Sequence, residues 1–356
     1  VRPKVTLYST EGGSDKAYTI WVEPKGAQFV VQAQWGPRGG SVQSGTKTPV
    51  PVDEAKADAT YDKTVKEKVS KGYHPGVDAP AFSQVDGATD SGLRPQLLTD
   101  ASEVGPDRYI ESDDWAGQQK MNGKRILLDV FPDGRVVGIN RRGLECGIPQ
   151  AVVDAFKPRH GGRGGPARQT PRLTLDGEMV GDVYHAFDLL LEDDDVVLVD
   201  RRSDTAQVRH YRLTSVLKHF LGDSIRVVPL VFGREAKKAL VDELRSKRRE
   251  GVVFKHINAV YEPGRVERLS LSSAVKCKFY AEVAACVIGF TDKSSIEVGL
   301  CGEAGVAGLV PVGKVTVAAK YIDQIESGKV VRVRYLYATP NRILYQANLD
   351  PTSDGS

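Results

Sequence analysis

At 356 residues the chain exceeds one average domain and suits two or three, so boundaries are expected within it. Hydrophobic residues make up 40% and charged residues 27%, with no apolar run long enough to cross a bilayer, and the opening Val1-Arg2-Pro3-Lys4 lacks the apolar stretch of a secretory signal. A cytoplasmic protein with no membrane partner is therefore expected, and a net charge of +3 is too small to prove a polyanionic partner. Cys146, Cys277, Cys286 and Cys301 form no CxxC pair, which argues against a zinc site or a disulfide framework.

In chain order, short strands come first: Val5 to Tyr8, Ala17 to Val22 and Phe29 to Trp35, separated by turns containing Gly, Asp and Pro. A helix follows, capped by Asp53, with Ala57, Tyr61, Val65 and Val69 recurring on one face and Gly72 with Pro75 stopping it. This sheet-plus-helix unit is assigned to residues 1–78. Residues 79–97 are rich in Pro, Gly, Asp and Ser and read as a linker. From 98 to 278, strands of Val, Ile and Leu alternate with helical stretches near 149–157, 206–220 and 235–248. Residues 279–348 turn almost wholly to short strands (Ala281 to Phe290, Ile296 to Leu300, Lys314 to Val317, Val330 to Tyr337, Ile343 to Ala347), as in a small barrel, before an acidic tail at 349–356. The fold class is α+β and multidomain.

Within the first unit, Trp35-Gly36-Pro37-Arg38-Gly39-Gly40 ends a strand and precedes the helix and Lys71-Gly72-Tyr73. This order resembles the WGR domain, with Pro37 inserted so that Arg38 takes the Arg place. An Arg beside Gly-rich backbone can approach phosphate, and a Trp offers a flat face for a base. The resemblance implies that Trp35 and Arg38 bind DNA ends, in a role separable from the chemistry downstream. The alternative is that Trp35 belongs to the core and Arg38 closes a turn.

The second unit carries Lys120-Met121-Asn122-Gly123-Lys124-Arg125, then Asn140-Arg141-Arg142-Gly143, Leu175-Asp176-Gly177-Glu178, Phe187-Asp188, Glu250-Gly251 and Val275-Lys276-Cys277-Lys278. In order and approximate spacing these resemble the nucleotidyltransferase motifs of ATP-dependent DNA ligases, RNA ligases and capping enzymes, over residues 98–348. The resemblance implies an ATP-grasp-like domain of antiparallel sheets followed by an OB-fold barrel. It implies that Lys120 is the nucleophile that takes AMP from ATP, since a lysine amine attacks phosphorus once unprotonated. Arg125 and Arg141 would clamp phosphate or ribose, with Arg142 competing for the second place. Glu178 would meet the ribose or a metal water, and Glu250 magnesium or manganese. Phe187 would stack on adenine. Lys276 and Lys278, alternating on one strand, would share one side and address the α-phosphate. Gln118 would lie near the adenine amino group.

Basic clusters flank these motifs. Arg159, His160, Arg163, Arg168 and Arg172 lie in a Gly-rich stretch, and Arg248 and Arg249 lead into Glu250, so nucleic-acid contacts are expected at Arg142, Arg163, Arg248 and Arg249. The basic final motif that orients pyrophosphate in many ligases has no counterpart here, and Asn122 stands where DNA ligases carry Asp. The expected partner is nicked or broken nucleic acid, foremost duplex DNA, acted on by a monomer in DNA repair or replication. An RNA ligase, or one joining mixed ends, remains the alternative, and an inactive break-binding protein a lesser one.

Overall fold

The computed structural model describes residues 2–9, 16–38, 42–75, 89–157, 170–193, 197–291, 295–301, 308–317, 322, 324–339 and 341–349. The expected contacts of Arg163 and its neighbours Arg159, His160 and Arg168 lie outside these residues. Among the described residues no helix is long and apolar enough to cross a membrane.

Alternation of apolar and polar residues makes the first unit. Strands β1 (Val5–Ser9), β2 (Lys16–Lys25), β3 (Gln28–Pro37) and β4 (Gln43–Thr46) precede helix α1 (Glu54–Ser70) and the short β5 (His74–Pro75). The sheet order is β4-β3-β2-β1-β5. Tyr18, Ile20 and Val22 bury one face of β2 against Ala57 and Tyr61 of α1. The Asp53 side chain caps α1 by accepting from the Lys56 amide at 2.8 Å, and Gly72, at φ +82°, stops it. Val69 is exposed, so the apolar face expected from the sequence runs out one turn before the helix does.

Two large sheets and a two-stranded one make up the described part of the second unit. Its elements are β6 (Gln96–Leu97), β7 (Thr99–Asp100), α2 (Asp107–Glu111), β8 (Trp115–Lys120), β9 (Lys124–Val130), β10 (Val136–Asn140), β11 (Glu145–Cys146), α3 (Gln150–Ala155), β12 (Leu173–Val180), β13 (Val183–Asp193), β14 (Leu198–Asp200), α4 (Ala206–Leu217), β15 (Ile225–Val227), β16 (Leu230–Val231), α5 (Arg234–Ser246), β17 (Gly251–His256), β18 (Gly264–Arg265) and β19 (Ala274–Lys278). One large sheet runs β11-β10-β9-β12-β13-β14, with β15 joined to β13, and the other runs β16-β8-β17-β19-β7. Each has its own core. Leu213 and Leu217 of α4 pack on Leu128 and Leu175 of the first, whereas Val241 and Leu244 of α5 pack on Val252 and Phe254 of the second.

The end of the expected linker is built into this unit. The Ser91 amide donates to the Gly143 carbonyl at 2.9 Å, the Gln96 amide donates to the Tyr261 hydroxyl at 2.7 Å, and β6 pairs in parallel with β18. Buried backbone groups need partners, and these three contacts satisfy them across long sequence separations that local composition does not reveal.

The last unit is a closed barrel in the order β20-β21-β22-β26-β23, formed by β20 (Ala281–Phe290), β21 (Ser295–Cys301), β22 (Leu309–Thr316), β23 (Val330–Tyr335) and β26 (Asn348–Leu349). Val287, Val298, Val315 and Val333 fill it. The single strand expected at 330–337 divides into β23 and β24 (Tyr337–Ala338), and that at 343–347 appears as β25 (Leu344–Tyr345), which pairs with β24. The backbone of Gln346, at φ +51°, turns the chain between β25 and β26, a break that a run of strand-forming residues does not announce.

Candidate active site

Lys120 is the last residue of β8. Across the sheet, Gly251 of β17 is in register with Lys120 on one side and Lys278 on the other, so the residue before it, Glu250, meets both lysines. Glu250 Oε2 lies 2.9 Å from Lys120 Nζ, and its Oε1 lies 3.4 Å from Lys278 Nζ. Glycine is required at 251: a Cβ there would stand 2.2 Å from the Cys277 carbonyl oxygen. Lys276 is two residues before Lys278 on β19 and pairs with Asp100 at 3.6 Å. Burial lowers the Lys276 ammonium below its ordinary pKa; Asp100 opposes this, and Lys278 and Lys120 reinforce it.

The facing wall comes from the other sheet, where Arg125 of β9 is in register with Glu178 of β12. The Gly123 amide donates to Glu178 Oε1 at 3.2 Å, and a Cβ on Gly123 would stand 2.0 Å from the Met179 carbonyl oxygen. Burial pushes the Glu178 carboxyl up to about 7; Arg125 and Lys120 pull it down, and Glu250 pushes it up. Arg125 is gripped at two points by Asp176, with Nε to Oδ1 at 2.5 Å and Nη2 to Oδ2 at 2.6 Å, and the Tyr261 hydroxyl donates to the same carboxylate at 2.6 Å. Burial alone would lower the guanidinium pKa, and Asp176 raises it above its ordinary value.

Phe187 lies on β13 beyond the tight turn at Gly181 and Asp182 that links it to β12. Its ring has the Arg125 guanidinium 4.4 Å and Lys255 Nζ 5.2 Å from its centroid. A small pocket of about 50 Å³ sits beside this ring, lined also by Gln118, Lys120 and Val253. Gln118 is buried, and its Nε2 donates to the Val228 carbonyl at 2.9 Å.

A larger cavity of about 540 Å³ opens over Lys120. Lys276, Lys278 and Glu250 come to it from one sheet, and Arg125, Arg141 and Glu178 from the other. The last unit adds Tyr345 of β25 and Gln346, the latter accepting from Lys278 Nζ at 2.7 Å. The first unit adds Pro37 and Arg38. Of the two arginines after Asn140, both exposed, Arg141 lines the larger cavity and Arg142 lines neither pocket.

Other expected contacts lie elsewhere. Arg248 and Arg249 are exposed beyond α5 and line neither cavity. Trp35 is half-buried, stacks on Tyr18 at 6.1 Å between centroids, and donates from Nε1 to Gln43 Oε1 at 2.8 Å, so it belongs to the rim of the first core. Arg38, expected to act apart from the chemistry, stands in the wall of the Lys120 cavity.

Buried charges beyond the expected site residues hold the site. Asp176 fixes Arg125, and Asp188 receives both Arg209 Nε at 2.7 Å and Lys255 Nζ at 3.1 Å. Their signal was available: Asp176, Asp188 and Lys255 interrupt apolar strand runs, where a charge must find a partner.

No family model matches the sequence, and no curated protein matches it. Solved structures do match. A Lig E DNA ligase aligns at 16% identity over 72% of this chain and 98% of its own, with a TM-score of 0.51. Pmar-Lig aligns at 15% identity over 84% of this chain and 72% of its own, with a TM-score of 0.50. A mycobacterial DNA ligase D complexed with ATP aligns at 20% identity over 74% and 97%, with a TM-score of 0.41. The first of these shows that this chain shares, over 72% of its length, the fold of a DNA ligase structure.

Proposed function

We propose that the protein is an ATP-dependent DNA ligase: Lys120 takes AMP from ATP, passes it to a 5′-phosphate, and a 3′-hydroxyl displaces it. The observation that carries this reading is the meeting of Lys120, Glu250, Lys276, Lys278, Arg141 and Glu178 around one cavity, from strands far apart in sequence. Lys120 must lose a proton before it attacks phosphorus, and Glu250, 2.9 Å away, holds its amine in the cavity. Lys276, Lys278 and Arg141 neutralise phosphate charge, and Arg125, immobilised by Asp176, needs no reorganisation to do the same. The pocket beside Phe187 is the place for adenine, with Gln118 at its wall.

Glu178 and Glu250 are the residues that would hold magnesium or manganese. An ion held by these two carboxylates would complete its shell with water and nucleotide phosphates. A buried carboxyl pushed up to about 7, as Glu178 is, gains from a nearby cation. When bound, the ion supplies charge neutralisation at phosphate.

The closed barrel that follows Lys278 is read as an OB-fold that meets duplex DNA, and the first unit as a WGR-like module that docks ends. Arg142, Arg248 and Arg249 are exposed contacts for phosphate, and they would make binding weaken with salt. Asn122, in the cavity wall, favours a second reading in which one side of the break is RNA.

Incubation with α-labelled ATP and magnesium is expected to label the wild-type chain covalently, and Lys120→Ala is expected to abolish the label. A wild-type chain that stays unlabelled sinks the enzyme reading. Matched nicks with DNA or RNA on each side then decide the polymer: sealing that requires a ribonucleotide 3′-hydroxyl, with no activity on all-DNA nicks, would replace the DNA reading.

A further inference from the structure

Among the described residues, seven basic side chains and two acidic ones line the Lys120 cavity: Arg38, Lys120, Lys124, Arg125, Arg141, Lys276 and Lys278 against Glu178 and Glu250. Such a wall selects an occupant with several negative charges. Six of the cations belong to the second unit. The seventh, Arg38, comes from the turn after β3 in the first unit, while Tyr345 and Gln346 of the last unit bring no charge.

Arg38 is held there by contacts on both units. Its side chain is only 7% exposed, Nη2 lies 3.3 Å from Asp182 Oδ1, and the guanidinium carbon lies 5.5 Å from the centroid of the Tyr8 ring. Asp182 forms the turn between β12 and β13, the strands that carry Glu178 and Phe187. A carboxylate and an aromatic ring thus orient a cation whose place in the wall is shared with the Lys120 machinery. An oriented guanidinium suits phosphate, because its forked donors match two oxygens.

We propose that Arg38 binds a phosphate group inside the Lys120 cavity, so that the first unit completes the catalytic site as well as docking ends. This rests on the reading of Lys120 as the residue that takes AMP. The phosphate belongs either to the triphosphate of ATP or to the 5′ end at a nick. Arg38 forms no bond to phosphorus and moves no proton; it neutralises charge.

The test uses the full chain as wild type, Arg38→Ala and Asp182→Asn, in two assays. One measures covalent labelling by α-labelled ATP across ATP concentrations; the other measures AMP transfer from purified enzyme-adenylate to a nicked duplex bearing a 5′-phosphate. Arg38→Ala is expected to slow one step by about tenfold or more, the scale of a lost charged hydrogen bond. Asp182→Asn is expected to slow it less, because the cation remains. Loss of labelling with a raised KM for ATP identifies the triphosphate, and loss confined to transfer identifies the 5′-phosphate. The proposal is overturned if Arg38→Ala leaves both steps within about twofold of wild type, or if Asp182→Asn matches its loss, since the ion pair would then only latch the two units together. A wild type that forms no adenylate removes the ligase reading and this inference with it, whereas an active wild type beside an indifferent Arg38→Ala removes this inference alone.

Discussion

Single residues here are governed by buried charge. Asp188 is fully enclosed, and burial alone would raise its carboxyl; Lys255 and Arg209 overcome that and hold it down to about 2. A carboxylate whose folded pKa is depressed contributes stability that is complete above its unfolded value, about 3.9, and is lost as pH falls through that value toward 2. Urea unfolding followed from pH 6 to pH 2 is expected to show stability falling below about pH 4, with Asp188→Asn less stable at pH 6 and flatter across that window. Lys237 offers a second case. Its Nζ donates to the carbonyls of Tyr109 at 2.9 Å, Ser112 at 2.5 Å and Trp115 at 2.9 Å, tying α5 to α2 and to the start of β8. Lys237→Met fills similar volume yet strands three acceptors, so a loss of about 3 kcal/mol is expected in the same urea measurement.

At the scale of elements, the site depends on strands approaching closer than a side chain permits. Gly123 and Gly251 each face a carbonyl oxygen at 2.0 and 2.2 Å from where a Cβ would stand, and each adjoins the machinery, Lys120 or Glu250. Gly123→Ala and Gly251→Ala must therefore part the strands locally. Each is expected to reduce Lys120 labelling at least 100-fold, on the order of 3 kcal/mol, while far-UV circular dichroism retains the folded spectrum. Gly181 supplies the contrast, since its Cβ position is open and only its φ of +59° resists substitution. Gly181→Ala is expected to cost about 1 kcal/mol of stability and to leave labelling within a few-fold of wild type. Gly123 and Gly251 both stand inside the sequence motifs, but the oxygen each one meets belongs to a strand distant in sequence.

Across the whole molecule, the units keep separate apolar clusters: Ile20, Val31 and Tyr61 in the first, Leu128 with Leu213 and Phe254 with Val241 in the second, Val287 with Val333 in the barrel. Separate cores allow separate folding. A chain beginning at residue 89 is expected to retain a cooperative thermal transition and its sheet spectrum, because Ser91 and Gln96 already bond to the second unit. Loss of cooperativity in that melt would show that the first unit supports the second beyond the Arg38 and Asp182 contact.

Sequence by itself determined the order of units, the cap at Asp53, the helices near 150, 206 and 235, the barrel-like end and the set of candidate residues from Lys120 to Lys278. Periodicity and turn chemistry act over a few residues, and these features are local. Only the tertiary structure set Arg141 in the cavity wall, drew Glu250 between two lysines, turned Trp35 into the rim of a core and carried Arg38 to the Lys120 cavity. Strand register and the packing of one unit on another set those outcomes, because they join residues whose spacing along the chain holds no trace of the distance between them.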